Sequence, residues 1–452
     1  MPAQAPSWSC RSRRCWPDPM RILDWEQLDP SERQAALARP HLASQANAVA
    51  LAREVIDRVK CDGDAAVREL TRRFDGVELK DFLVSREEFA EARGALTDEQ
   101  TEALMRSVAN VRAYHRAQVT QGYGLETEPG VRCEQLIRSI SSVGLYVPAG
   151  SAPLPSAVIM LAVPASLAGC PERILCTPPT VDGGAHPAIL VAAQLCGIDT
   201  VFKVGGAQAI AALAYGTQSI PKVEKIAGPG NVWVTAAKDL VSRDPYGASC
   251  DLPAGPSEVL VIADETARAA FVAADLLAQA EHDPLAQAML VTVSPELARA
   301  VAEALKVALP RLRRRAILAQ SLLSCRCIVV PRIEVALEIA NMYAPEHLLI
   351  QTHEPRQWLP EVRNAGAVFL GPWSAEALGD YCSGTNHVLP TYGHARSLSG
   401  LSVRDFQKTL SVQEVSLAGI RSLGPTAVTL ANLEGLDAHA YAIEQRLAGA
   451  VH

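Results

Sequence analysis

Short apolar runs alternate with longer amphipathic segments through the middle of the chain. The runs lie at 143–147, 173–177, 200–204, 258–263, 287–293, 326–330 and 366–370, and each predicts a strand. Between them, apolar residues recur at three- and four-residue steps, which predicts helices such as 207–215, 232–242 and 266–280. Strands alternating with helices indicate an α/β fold with largely parallel strands. Because so many units would crowd one doubly wound sheet, we expect two sheets in two domains.

The two ends of the chain have different patterns. Residues 31–121 are rich in Ala and Arg and predict helices, and after about residue 400 the strand pattern stops, leaving helical pieces at 402–419 and 435–448. Residues 1–19 are rich in Arg, Ser and Pro and lack the apolar core of a signal peptide. We expect them to form a disordered extension before a natural start at Met20.

Composition and charge exclude several classes of protein. A net charge of −7 over 452 residues gives no basic surface for nucleic acid. Residues 144–171 contain no charged side chain, but prolines interrupt the segment, so we expect no membrane span. The 11 cysteines are scattered without a CxxC pair, which favours reduced thiols and a cytoplasmic location.

A polar sequence, AQAEHDP, closes the predicted helix 266–280. Gln279 and His282 are three residues apart, so they share one face if the helix holds its last turn. An imidazole beside an amide oxygen can form half of a metal site. Taken alone, a polar helix end in solvent explains these residues better.

Glycine-rich turns precede two predicted helices, in VGGAQAIAAL (204–213) and GPGN (228–231). Helix N-termini of this kind can hold phosphate, although close packing explains the glycines equally well. The sequence contains neither GxGxxG nor a P-loop motif. A third loop, DLPAGPSE, offers Ser257 to a polar ligand.

Three further segments carry residues capable of chemistry. The motif YAPEHL places Glu346 beside His347, and a carboxylate next to an imidazole can carry protons. Adjacent side chains share such a role only on an irregular backbone, which Pro345 favours. An ordinary polar loop is the alternative. GDYCSGTNHVLPT (379–391) predicts a long polar loop in which Asp380 could bind metal, whereas Cys382 and His387 could equally be packing residues. LEGLDAHAYAI carries Glu434 and His439 at the start of a helix whose apolar stripe must dock on this chain or on a partner.

These segments, together with GLYVPAGSAPLPS (144–156) and FQKTLSVQEVS (406–416), occur in the order and spacing of the histidinol dehydrogenase family. The resemblance runs from about Met20 to the C-terminus. It implies an NAD-dependent, zinc-requiring enzyme that oxidises L-histidinol through L-histidinal to L-histidine. It also implies an intertwined homodimer with two Rossmann-like domains and two small helical or extended domains per subunit.

The resemblance implies the following domain boundaries. A small N-terminal segment covers 20–45, the first Rossmann-like domain combines 46–143 with 259–398, and the second, NAD-associated one covers 144–258. Residues 399–452 would form a helical domain that docks on the partner subunit.

Functional residues carried over from the family motifs fall into three groups. The zinc ligands would be Gln279, His282 and Asp380, with His439 from the other subunit, and Glu346 and His347 would be the acid–base pair. Ser257, Glu434, His347 and the zinc ligands would hold the substrate, while Tyr146, Gln208 and Asn231 would contact NAD. Two alternatives remain: an NAD-dependent dehydrogenase of another hydroxyl substrate, such as a sulfonated alcohol, or a non-catalytic zinc-binding homologue.

Overall fold

Two parallel sheets and one antiparallel sheet organise the computed structural model, which describes residues 19–39, 45–149, 152–253 and 255–449. The strands are β1 Arg21–Asp24, β2 Tyr123–Glu128, β3 Val131–Ser139, β4 Ser142–Tyr146, β5 Glu172–Thr177, β6 Val201–Lys203, β7 Lys225–Ala227, β8 Ser249–Cys250, β9 Glu258–Ala263, β10 Gln287–Thr292, β11 Arg326–Val329, β12 His347–Gln351, β13 Ala367–Leu370 and β14 Gln407–Val415. This arrangement confirms the predicted α/β class with mostly parallel strands.

The helices are numbered in chain order, and most of them cover the two parallel sheets. They are α1 Pro30–Ala36, α2 Gln45–Asp62, α3 Asp64–Asp75, α4 Arg86–Ala95, α5 Asp98–Arg116, α6 Pro155–Ala168, α7 Pro187–Leu195, α8 Gly206–Tyr215, α9 Val232–Arg243, α10 Ala269–Ala280, α11 Pro295–Ala308, α12 Arg315–Ser321, α13 Ile333–Tyr343, α14 Glu376–Tyr381, α15 Leu417–Leu433 and α16 Asp437–Gly449. No helix in the described part of the chain is both long and apolar enough to cross a membrane.

The larger parallel sheet has the strand order β1-β11-β10-β9-β12-β13. Alternate side chains of β9 face opposite layers: Val259 and Val261 pack with α10 and α11, whereas Leu260 and Ile262 pack with α13. Burial on both faces explains the continuous apolar runs of these strands. Because β9 and β12 are parallel neighbours, with Val259 opposite His347, the amino ends of the two strands lie side by side.

The smaller parallel sheet, in the order β6-β5-β4-β7-β8, binds most of the N-terminal helices. One face packs against α2, α3, α8 and α9, and the other against α4, α5, α6 and α7. The assignment of 46–143 to the domain that contains 259–398 was therefore wrong. The apolar stripe of α2, including Val55 and Val59, is buried against α8 and α9 of the smaller sheet instead.

Residues 20–45 were predicted to form a separate small segment, yet β1 pairs with β11 as an edge strand of the larger sheet. The disordered extension was expected at residues 1–19, and residues 1–18 of it lie outside the described part of the chain.

An antiparallel sheet in the order β14-β3-β2 corrects the expectation that strands stop after residue 400. Residues of β14 alternate only weakly between polar and apolar and are mostly exposed, so their pattern does not predict a strand. Exposed apolar side chains also occur on the two helices that follow β14. On α15 and α16, Leu430, Leu433 and Tyr441 are each more than half exposed.

Candidate active site

A single cavity lies between the carboxyl ends of the smaller sheet and the amino ends of β9 and β12. It is lined by nine of the residues singled out from sequence: Tyr146, Gln208, Asn231, Ser257, Gln279, His282, Glu346, His347 and Asp380. Glu434 and His439 do not line it; both are exposed, at the end of α15 and on α16. One chain thus brings together every predicted site residue except the two expected from a partner.

Glu346 and His347 enter the cavity at the start of β12. Ala344 takes a left-handed conformation with φ 53° and ends α13, and Pro345 leads into the strand. The backbone N–H of Glu258 donates to Glu346 Oε2 at 2.8 Å, and the Glu258 carbonyl oxygen lies 3.2 Å from His347 Nδ1. His347 is thus the first residue of a regular strand rather than part of an irregular loop. The two neighbouring side chains nevertheless meet because both contact the backbone of Glu258.

These contacts define which nitrogen of His347 faces the cavity. A carbonyl oxygen can only accept, so Nδ1 carries a proton and donates to Glu258. His347 Nε2 has no hydrogen-bond partner among the described residues and lies 3.6 Å from Asp380 Oδ1. A buried, unsatisfied nitrogen in a polar cavity is suited to accept a proton from a ligand.

Carboxylates surround this imidazole. Burial disfavours its charged form, but Glu376, Glu346 and Asp380 together outweigh burial and raise the pKa of His347 to about 10. Burial also raises the pKa of the Glu346 carboxyl to about 8. Glu376, with Oε1 4.0 Å from His347 Nδ1, was not predicted. Glu376 lies four residues before Asp380 on one helix, and this spacing was the sequence signal that could have identified it.

Gln279 connects these groups. Its side-chain amide is satisfied when its oxygen shares the Glu258 N–H with Glu346 Oε2, at 2.7 Å from the nitrogen, and its own nitrogen donates to Glu376. The amide oxygen keeps a second lone pair for another partner. Helix α10 ends at Ala280, two residues before His282, but the His282 N–H still bonds to the Gln279 carbonyl at 3.2 Å. The two side chains therefore line the same cavity, with His282 at its exposed rim.

The residues present fit a metal ion of the zinc type in part. Gln279, His282 and Asp380 supply oxygen and nitrogen donors, and the surplus of carboxylates around His347 favours an added positive charge. Within the described ranges, no three His, Cys, Asp or Glu side chains are placed to hold a metal ion together; one proposed donor is Gln, and His439 lies elsewhere. Asp380 lies on helix α14, which corrects the prediction of a loop without helical structure.

The segment after α14 contributes a further residue. His387 lines the cavity, and its Nε2 has no partner among the described residues; burial lowers the pKa of this imidazole. The sequence left His387 open between packing and function, and its position favours contact with a ligand. The neighbouring Asn386 points away from the cavity and donates to the Met160 carbonyl at 2.8 Å.

Helix N-termini and glycines form the far end of the cavity. The Tyr146 hydroxyl accepts from the Gly206 N–H at 3.1 Å, and Asn231 Oδ1 caps α9 by accepting from Trp233 and Val234. Gly228 has φ 138°, and a Cβ there would collide with the Tyr146 carbonyl. Gln208 Nε2 lies 3.4 Å from Asp75 Oδ2. Asp75 also lines the cavity but was not identified from the sequence, and burial raises the pKa of its carboxyl to about 6. The arrangement offers a backbone cradle for a phosphate-containing ligand.

Comparisons with known proteins agree on one family. The sequence model described as Histidinol dehydrogenase matches residues 38–447. Histidinol dehydrogenase from Xanthomonas euvesicatoria pv. vesicatoria (strain 85-10) is 55% identical over 430 residues, covering 95% of this chain and 99% of that protein. The enzyme of the same name from Vibrio vulnificus (strain YJ016) is 50% identical over 428 residues, covering 95% and 98%. The crystal structure of histidinol dehydrogenase from Elizabethkingia anophelis superposes with a TM-score of 0.91 at 40% identity, covering 96% of this chain and 99% of that one.

Proposed function

This chain belongs to the histidinol dehydrogenase family, and we propose that it oxidises L-histidinol through L-histidinal to L-histidine, with NAD accepting hydride twice. The observation that carries the proposal is the placement of Glu346 and His347. Both are held by the backbone of Glu258, and the free His347 Nε2 faces the cavity. An alcohol oxidation needs such a base beside the carbon that loses hydride.

In the first oxidation, His347 Nε2 accepts the hydroxyl proton while hydride leaves the carbinol carbon. This step needs a neutral imidazole, and a zinc ion bound in the cavity would offset the carboxylates that raise the pKa of His347. The Nδ1–H bond to the Glu258 carbonyl fixes the ring orientation, and it keeps Nε2 directed at the substrate. The N-terminus of α8 and the open space beside Gly228, which has no Cβ, would accommodate the pyrophosphate of NAD, and Tyr146, Gln208 and Asn231 would contact the rest of the cofactor.

In the second oxidation, Glu346 activates a water molecule for attack on the aldehyde. A carboxyl whose pKa is raised to about 8 by burial suits proton transfer near neutral pH. Among the described residues that line the cavity there is no cysteine, so a thioester route is disfavoured. The hydrate of the aldehyde would then lose the second hydride.

Gln279, His282 and Asp380 would hold zinc, with His439 of a partner subunit as the fourth protein ligand. Zinc bound there would orient the imidazole and amino groups of histidinol and balance the carboxylates around His347. Ser257 and Glu434 would bind the substrate, the latter from the partner. This assignment requires a homodimer, and the free state of all nine cysteines in the described ranges fits a cytoplasmic protein.

A different hydroxyl substrate is less compatible with the cavity. A sulfonated alcohol needs cationic partners, yet Arg314 is the only Arg or Lys among the described lining residues. Carboxylates outnumber it, with Asp75, Glu346 and Asp380 among them. A site of this charge favours an amine such as histidinol. A non-catalytic zinc protein would not need both Glu346 and His347.

The test is NADH formation from L-histidinol by the protein before and after chelation, with NADH counted per substrate consumed. Two NADH per histidinol, lost on chelation and restored by zinc, is the expected result. One NADH would contradict the role of Glu346. No NADH from a zinc-loaded protein would overturn the choice of substrate.

A further inference from the structure

Arg39, in the segment after α1, reaches the amino end of β9 and forms a buried ion pair with Glu258. Its Nε donates to Oε1 at 2.5 Å and its Nη2 to Oε2 at 2.9 Å. The Glu258 side chain is fully buried, and the Arg39 side chain is only 13% exposed. Two parallel bonds between a planar guanidinium and a carboxylate fix the orientation of both groups.

The backbone of Glu258 is the element that holds the catalytic pair. Its N–H donates to Glu346 Oε2, and its carbonyl accepts from His347 Nδ1–H. Any displacement of the Glu258 backbone would move the Glu346 carboxylate and the His347 ring together. The side chain of Glu258, clamped by Arg39, resists that displacement.

The same guanidinium secures the turn that leads into Glu346. Arg39 Nη2 donates to the Tyr343 carbonyl at 2.8 Å, and the guanidinium stacks on the Tyr343 ring with its carbon 4.0 Å from the centroid. The next residue, Ala344, has the unfavourable φ of 53°. Such a conformation persists only where the surrounding contacts hold it.

A second turn with a constrained backbone also contacts this ion pair. The backbone N–H of Tyr392 donates to Glu258 Oε1 at 3.1 Å, and Tyr392 also has φ 53°. The ion pair therefore connects the segment after α1, the amino end of β9, the end of α13 and the turn at Tyr392.

We propose that Arg39 and Glu258 are positioning residues for the reaction, and that their ion pair fixes the backbone of Glu258, which aligns Glu346 and His347. The inference rests on the proposed function, because it takes these two side chains as the acid–base pair. Neither positioning residue needs to touch the substrate. Their effect is on the chemical step, since the cavity surfaces that bind histidinol and NAD are formed mainly by other residues.

Kinetics of Arg39→Ala test the proposal. Loss of the clamp lets the Glu258 peptide shift, and a misplacement near 1 Å lowers kcat by about 100-fold. The KM values for histidinol and NAD are expected to change little. Arg39→Lys keeps the charge without the two parallel bonds and should give an intermediate kcat. Adding guanidinium ion at low millimolar concentration should restore part of the kcat of Arg39→Ala, an effect that general destabilisation would not produce.

Arg326→Ala is the matched control. Arg326 holds the same N-terminal segment through the carbonyls of Ala35 and Ala38, at 3.2 and 2.7 Å. These side-chain bonds go to that segment and not to Glu258, so the kcat of Arg326→Ala should stay near that of the wild type. Equal losses in the Arg39 and Arg326 variants would overturn the proposal in favour of a general role for the segment. An unchanged kcat in folded Arg39→Ala would also overturn the proposal. If Arg39→Ala does not fold, a wild-type kcat in Arg39→Lys would overturn it.

Failure of the proposed function gives a different result. The wild type would then not oxidise histidinol at all. Crystal structures of the wild type and Arg39→Ala would decide the positioning role in that case. Loss of the bond between the Glu258 N–H and Glu346 in the variant supports it, and retention of that bond overturns it.

Discussion

His347 is the residue on which turnover should depend most. Its Nε2 is the unsatisfied nitrogen that faces the cavity, and Nδ1 is already bonded to Glu258. We expect His347→Asn to lower kcat by at least about 100-fold, the scale of a lost general base. Zinc content should stay the same, because Gln279, His282 and Asp380 are unchanged. NADH formation and metal analysis on the same sample measure both quantities.

His353→Asn provides the control for this prediction. His353 is exposed in the turn after β12, and its backbone N–H bonds to Asp264. The substitution should leave kcat near the wild-type value. Near-normal turnover in His347→Asn would contradict the assignment of the base, whereas loss of zinc in that variant would show that His347 also supports the metal site.

Asp275 on α10 makes stability depend on pH. Burial raises the pKa of its carboxyl to about 6, although Gln351 donates to Oδ2 at 2.7 Å. The folded state then binds the proton more tightly than the unfolded state, whose pKa is near 3.8. The free energy of unfolding therefore falls as pH rises from about 4 to about 6 and stays low above that range.

Asp275→Asn removes this term and keeps an oxygen for Gln351. We expect the variant to be more stable than the wild type at pH 8 by about 1 to 3 kcal/mol, with the difference shrinking toward pH 4. Urea unfolding at the two pH values measures it. Asp239→Asn, at an exposed position on α9, should change stability by no more than about 0.5 kcal/mol at either pH. A gain that is equal at both pH values would contradict the explanation.

Sequence alone identified residues whose type and neighbours suggest chemistry, such as Glu346 beside His347. It did not identify Glu376, Asp75 or Arg39, because each of these acts through contacts between distant segments. The bond from Arg39 to Glu258 spans 219 positions along the chain. A pattern of neighbouring residues along the sequence does not predict such a pairing. Only the folded structure shows which carboxylates and cations share a site.

Helix α6 shows how one element anchors the segment that follows Asp380. Pro164 lies inside this helix and has no N–H, so the carbonyl of Met160, one turn earlier, loses its helical partner. Asn386 replaces that partner: its Nδ2 donates to the Met160 carbonyl at 2.8 Å and lies 3.3 Å from His115 Nε2. The interruption in the helix therefore provides the anchor for the residue next to His387.

Removal of this anchor should destabilise the protein. Asn386→Ala leaves a buried carbonyl unsatisfied, which costs about 1–3 kcal/mol. The same substitution in a Pro164→Ala background should cost less, because the backbone N–H at position 164 can then bond to Met160. Urea unfolding of the wild type, the two single variants and the double variant measures the coupling. Equal costs of Asn386→Ala in the two backgrounds would contradict the account.

At the level of elements, the buried strands and their helices were predictable, and the exposed ones were not. The β9 run EVLVIA is buried along its whole length, so its apolar pattern is continuous. The β14 run QKTLSVQEV is mostly exposed, and its hydrogen bonds to β3 carry no side-chain signature. Helix α14 has only 6 residues, which is too short for a periodic pattern to emerge.

At the scale of the whole molecule, the N-terminal helices were assigned to the wrong sheet. Amphipathic periodicity shows that α2 must bury one face, but it does not specify the surface that receives it. The structure packs α2 on α8 and α9. The same limit applies to α15 and α16: their apolar side chains require a cover, and within this chain Leu433 remains 79% exposed. A second subunit is the cover that the proposed function requires.

Shared active sites can be tested by mixing two inactive variants. If each site combines Glu346 of one chain with His439 of the other, a heterodimer of Glu346→Gln and His439→Asn contains one intact site and one doubly altered site. It should regain about half of the wild-type activity per dimer, as two-fold symmetry requires. Co-expression with two different affinity tags isolates the heterodimer, and NADH formation from histidinol measures its activity.

The control pairs Glu346→Gln with Asp380→Asn. These residues line the same cavity of one chain, so each chain of that heterodimer carries a defect in its own site and no activity should return. Recovery in the first pair and none in the second supports His439 acting in the partner's site. Isolated heterodimers of the first pair without recovered activity would place His439 and Glu346 in the same chain's site, or His439 outside the site. Because His439 lies away from the cavity in this chain, the first of these alternatives would require α16 to move.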